Sequence, residues 1–122
     1  MNKILVADDD RFLASAIRLK LTKEGFEVRV ASDGDEALAA LKEFVPDLIL
    51  LDLVMPNKDG FATLTEIKAN PAWKNIPVII ASNLGQKEDI DKGWELGAAD
   101  YVVKSDMALK DLVAKIRTLI GA

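Results

Sequence analysis

In Asp47-Leu48-Ile49-Leu50-Leu51-Asp52-Leu53-Val54-Met55-Pro56, an unbroken aliphatic run meets a lone carboxylate, and a proline follows shortly after. So short an apolar run, bounded by polar residues, suits a strand covered on both faces, as in a parallel sheet inside an α/β domain. Asp52 would then stand at the carboxyl end of the strand, where open α/β sheets place their ligands. The same residues also read as a plain turn, since Asp often opens one ahead of Pro-Asn-x-Asp-Gly punctuation. The stretch alone does not separate the two.

Working outward, residues 3–7 (Lys-Ile-Leu-Val-Ala) form a second apolar strand that runs into Asp8, Asp9 and Asp10. Residues 77–81 make a β-branched strand delivering Ser82 and Asn83, and Tyr101-Val102-Val103 makes another that hands over Lys104. Residues 26–30 alternate apolar and polar, as a half-exposed edge strand does. Helical patterns fill the intervals. Leu13, Ile17 and Leu21 mark a helix over residues 10–24 closed by Gly25, and Ser32 and Asp33 offer caps to a stripe of Ala37, Leu38, Leu41 and Phe44. Phe61, Leu64 and Ile67 mark a third helix, broken at Asn70-Pro71. Residues 87–96 are poorly apolar, with Ile90 and Trp94 as expected anchors and Gly93 inside, where Gly costs about 1 kcal/mol relative to Ala. Leu109, Leu112, Val113, Ile116, Leu119 and Ile120 give the cleanest stripe. Strand and helix thus alternate five times, which specifies a mostly parallel sheet with helices on both faces.

The chain has 122 residues, half of them hydrophobic, the size of one domain with one core. No apolar run approaches the ~20 residues a bilayer-spanning helix needs, and the amino-terminal stretch is too short for a signal peptide, so a soluble cytoplasmic protein is expected. A net charge of -4 lacks the basic footprint of a nucleic-acid binder. With no cysteine and no histidine, disulfides, thiol chemistry and the usual general base are absent. A metal would have to be a hard, oxygen-loving ion such as Mg2+ or Mn2+.

Four of the expected strands end in polar residues that one reaction could use together: Asp8 and Asp9, Asp52, Ser82, and Lys104. In a flavodoxin-like (βα)5 sandwich of order 2-1-3-4-5, the first and third strands adjoin at the switch point, where a crevice opens. Carboxylates crowded there disfavour one another unless a cation sits among them, and Mg2+ is usually bound by a few carboxylates, waters and a phosphate oxygen. A carboxylate in such a place can accept a phosphoryl group, helped by an ammonium and a hydroxyl. Each part alone has an ordinary explanation, as helix cap, solvated charge or turn residue.

In that order and spacing, over residues 1–122, the chain resembles the receiver domain of two-component response regulators, of the stand-alone chemotaxis-regulator type. The resemblance implies a non-enzymatic signalling protein with Asp52 as phosphoacceptor. Asp8, Asp9, Asp52 and the main-chain carbonyl of Val54 would hold Mg2+ or Mn2+. Ser82 would be the hydroxyl that swings to the phosphoryl group, Lys104 its counter-charge, and Tyr101 the aromatic switch residue. Met55-Pro56 and Asp59-Gly60 match the loop after the acceptor. The implied partners are a histidine kinase or phosphotransfer protein and a downstream protein, reached through the fourth helix, fifth strand and fifth helix. No nucleic acid or membrane is expected, and the state is a monomer or a weak phosphorylation-dependent dimer. One departure stands out. The family usually has a proline after the lysine, in a cis peptide, whereas Ser105 follows Lys104, so a differently set loop is expected, one that leaves room for Lys104 to shift. The side chains two residues past Asp52 and Ser82, Val54 and Leu84, cannot orient a water, which implies slow self-dephosphorylation. A phosphorylation-independent pseudo-receiver is the alternative. A haloacid-dehalogenase-type phosphatase built on Asp8-Asp9-Asp10 fits less well in so short a chain, and a flavodoxin would meet carboxylates where its flavin phosphate should bind.

Overall fold

The computed structural model describes residues 2–121. Its elements run β1 (Lys3–Ala7), α1 (Arg11–Lys23), β2 (Glu27–Ala31), α2 (Gly34–Leu41), β3 (Leu48–Leu51), α3 (Gly60–Ala69), β4 (Val78–Ser82), α4 (Lys87–Glu95), β5 (Asp100–Val103), a 3-10 turn (Lys104–Asp106) and α5 (Leu109–Ile120). The strands form a five-stranded sheet of order β2-β1-β3-β4-β5. Every pairing is parallel, with Ala7 beside Leu51 and Ile80 beside Tyr101. This is the flavodoxin-like three-layer sandwich.

The apolar runs of β1, β3 and β4 are continuous because both faces of these strands are covered. Ile4, Val6, Leu48, Leu50 and Ile79 pack with Ile17 and Leu21 of α1 and Leu112, Val113 and Ile116 of α5. Their alternates Leu5, Ile49, Leu51, Val78 and Ile80 pack with Ala37 and Leu41 of α2 and Leu64 and Ile67 of α3. Asp10, Asp33 and Asp59 each cap a helix, accepting the N–H of Leu13, Glu36 and Ala62 respectively.

Three expectations shift. β2 begins at Glu27, one residue late, because the Phe26 N–H goes to the Leu21 carbonyl and its buried ring joins the α1/α5 core. α2 ends at Leu41, and Phe44 reaches the core from the turn beyond it. The anchors of α4 differ most. Trp94 is 49% exposed, Ile90 is half-buried, and the helix buries Gly93 instead. A Cβ at Gly93 would stand 2.8 Å from Ile80 Cδ1 and 3.3 Å from the Tyr101 ring. The helix thus lies on the sheet through bare backbone, and Trp94, about 100° further round, is turned outward.

Candidate functional site

The polar strand ends converge at the carboxyl edge of the sheet. Asp8 follows β1 and Asp52 follows β3, which pair directly, so their carboxylates are neighbours by register. Both are buried, at 4% and 7% exposure, while Asp9 is exposed. One ligand oxygen from each of Asp8, Asp9 and Asp52 lies within 4.8 Å of the others. Lys104 crosses from the end of β5. Its Nζ is 2.6 Å from Asp8 Oδ2 and 3.2 Å from Asp52 Oδ2.

Backbone donors orient the two buried acids. Asp8 Oδ1 accepts the Asp10 N–H at 2.9 Å, and Asp52 Oδ1 accepts the Leu53 N–H at 2.8 Å. Behind Asp52, the Gly60 N–H donates to the Leu53 carbonyl at 2.9 Å, and a Cβ on Gly60 would fall 2.2 Å from the Asp52 carbonyl oxygen. Only glycine fits there, which is what the Asp59-Gly60 pair supplies. Burial pushes the Asp52 carboxyl above its usual range; Lys104 opposes this without cancelling it, and the Asp8 charge adds to it. Burial also works against the Lys104 ammonium, but its hydrogen bond to Asp8 and the charges of Asp52 and Asp8 outweigh that and raise its pKa. The site therefore carries excess negative charge with one fixed cation.

Ser82, at the end of β4, is buried, and its Oγ accepts the Leu84 N–H at 3.2 Å. Tyr101 is half-buried and its hydroxyl donates to the Leu84 carbonyl, so Ser82 and Tyr101 meet at the segment leading into α4. Asp9, Asp10, Asp52, Val54, Ser82, Asn83, Leu84 and Lys104 line a crevice of about 320 Å3. A larger groove, about 680 Å3, runs between α2 and α3 past Leu38, Lys58 and Trp73, yet it holds no comparable convergence of buried charge. Chemistry, not size, marks the smaller one.

Because β1 is apolar throughout after Lys3, strand parity does not tell which of the three consecutive Asp residues face the crevice. Asp8 and Asp9 join Asp52 in the oxygen cluster, whereas the Asp10 carboxylate caps α1 and its N–H braces Asp8. Ser105 lies in the 3-10 turn Lys104–Asp106, with trans peptides throughout the described residues. The loop is set by that turn, and Lys104 still spans both acids. Asn83, to which the sequence assigned no role, joins the lining by following Ser82 out of β4. Three oxygen donors with no nitrogen or sulfur fit a hard divalent ion, and the burial of two of them leaves charge for it to neutralise.

Strand order and crevice define a flavodoxin-like α/β sandwich with an acidic site at the switch point between β1 and β3. The chain belongs to the response regulator receiver domain family, whose model matches residues 4–117. It is 46% identical over 120 residues to the transcriptional regulatory protein CpxR of Klebsiella pneumoniae, covering 98% of this chain and 50% of that protein. The chain thus spans about half the length of the curated relatives it matches. Among solved structures, the receiver domain of Francisella response regulator 1452 is 34% identical with a TM-score of 0.91, covering 99% of this chain and 98% of that one. The Mn2+-bound form of response regulator Rcp1 is 32% identical with a TM-score of 0.82, covering 99% of this chain and 91% of that one. Receiver domains are signalling phosphoacceptors, generally not enzymes, and bind Mg2+ or Mn2+ at an acidic pocket. Membership sets aside the dehalogenase and flavodoxin alternatives. No helix among the described residues is long and apolar enough to cross a membrane.

Proposed function

We propose that this receiver accepts a phosphoryl group on Asp52 from a phosphohistidine of a kinase or phosphotransfer protein, and signals through the face formed by α4, β5 and α5 as α4 repacks. The observation that carries this is Asp52 itself, buried on the crevice floor, backbone-oriented through Leu53 and paired with Lys104 at 3.2 Å. An Asp52 carboxylate oxygen attacks phosphorus and the P–N bond to the donor imidazole breaks; its electron pair stays on the ring nitrogen, and the imidazole, already carrying a proton on its other nitrogen, leaves neutral. Asp8, Asp9, Asp52 and the Val54 carbonyl would hold Mg2+ or Mn2+. When bound, such an ion neutralises the carboxylates and the phosphoryl oxygens. Lys104 would exchange its pairing with Asp52 for one with the phosphoryl group, a charge-assisted contact.

Ser82 then turns its hydroxyl inward, releasing the Leu84 N–H, and Tyr101 follows the shifted Leu84 segment. Moving such an equilibrium from 1:99 to 99:1 takes about 5.5 kcal/mol, more than one hydrogen bond supplies. Val54 and Leu84 stand at the crevice, 61% and 37% exposed, and neither can orient an attacking water. The aspartyl phosphate should therefore persist, and Val54→Asn or Leu84→Glu should shorten its half-life; a short-lived adduct that either change lengthens would contradict this.

The deciding experiment is intact mass after acetyl phosphate, with Mg2+ or with chelator, on wild type and Asp52→Asn. One metal-dependent phosphoryl adduct on wild type alone is expected. No adduct on either protein would favour the pseudo-receiver, and an adduct retained by Asp52→Asn would move the acceptor elsewhere.

A further inference from the structure

The loop between β3 and α3 carries Asp52 and Val54 at its near end, and its far end is fastened to α2 by groups that do not line the crevice. Asn57 has φ +65°, alone among the described non-glycine residues in being positive, a region Asn tolerates better than most side chains. Its Nδ2 donates to Asp33 Oδ2 at 2.7 Å, while Asp33 Oδ1 accepts the Glu36 N–H at 2.8 Å. Asp33 is 7% exposed, so this carboxylate is a buried fixture with both oxygens engaged. One residue on, the Lys58 carbonyl accepts the Gly34 N–H at 3.2 Å. Side chain and main chain of the loop are thus both tied to the start of α2. At the other end, Gly60 is wedged against the Asp52 carbonyl. Val54 lies between the two fastenings with its side chain in solvent, so its main chain is held by them and by the buried side chains of Leu53 and Met55 on either side, not by packing of its own side chain.

We propose that Asp33 and Asn57 are positioning residues of the acidic crevice: by holding the loop on α2 they place the Val54 carbonyl where it joins the oxygens of Asp8, Asp9 and Asp52 around a divalent cation. This rests on the function proposed above and adds two residues to it. Outer groups that orient ligands commonly matter to metal affinity by about tenfold or more, because a misplaced ligand is a lost one.

The test is Mn2+ binding followed by electron paramagnetic resonance, with no phosphodonor, alongside melting temperature. Asn57→Gly keeps the backbone conformation and removes the amide. Asp33→Ser keeps a cap oxygen for Glu36 and withdraws from Asn57. Ile116→Val, a buried α5 residue far from the loop, serves as a control that lowers stability alone. The expected result is an affinity about tenfold weaker in each loop variant, no further loss in the double variant, and wild-type affinity in Ile116→Val. Loop variants that bind Mn2+ like wild type, or a control that loses affinity in step with its melting temperature as they do, would overturn the inference while leaving the function intact. A wild type that neither binds Mn2+ nor forms the Asp52 adduct would overturn both.

Discussion

The crevice and the α4 face occupy the same sheet and are held in different ways. Asp8 and Asp52 extend strands whose residues are nearly all buried, and Lys104 is tied to both. α4 buries one residue, Gly93, where α5 buries Leu112, Val113 and Ile116. Partly buried charges tolerate little slack, because a carboxylate that drifts from its partners is left desolvated and unpaired. A helix resting on a glycine loses little when it shifts. On the function proposed above, this contrast would let one small domain keep its chemistry rigid while α4 responds; Ser82 and Tyr101 both bond to Leu84, between the two regions.

The largest test of this contrast is Lys104→Met. Without its ammonium the rate of phosphoryl uptake from acetyl phosphate should fall by about 10²- to 10³-fold, as when a charge-stabilising donor is removed. Mg2+ affinity should rise, since Nζ competes with a cation for Asp8 and Asp52. Calorimetric titration checks the sign, and weaker Mg2+ binding would mean that Lys104 organises the acids instead of opposing the metal.

Gly93→Val should be next. Its side chain has to displace Ile80 or Tyr101, at a cost of about 1 to 3 kcal/mol. Hydrogen exchange should rise in α4 and at Tyr101 while β1 and β3 stay protected; an even loss across the sheet would erase the distinction between the two regions. Smallest of all is Trp94→Ala, with an expected change within about 0.5 kcal/mol because the ring is half in solvent. A fall of several degrees in melting temperature would mean that α4 is anchored by its indole after all.

The legible parts of this fold share a cause. β1, β3 and β4 could be read because strands covered on both faces leave uninterrupted aliphatic runs, and α1 and α5 because their buried residues recur at helical spacing. α4 misled because pattern reading counts large apolar side chains as anchors, and here the contact is made by the absence of one. The convergence of Asp8, Asp52 and Lys104 on one edge followed from strand order. The fastening of Asn57 on Asp33, 24 positions apart, left no local mark beyond a turn-like Asn and a cap-like Asp.

The sequence by itself determined the alternation of strand and helix, the sheet they must form and the edge at which the acids collect, since hydrophobic period and chain polarity are local properties. Tertiary structure alone decided that Asp10 caps α1 and that Lys104 spans two acids despite Ser105. It also decided that Gly93, not Trp94, meets the sheet. Each of those outcomes depends on distances between residues remote in the chain, which no local pattern of side chains encodes.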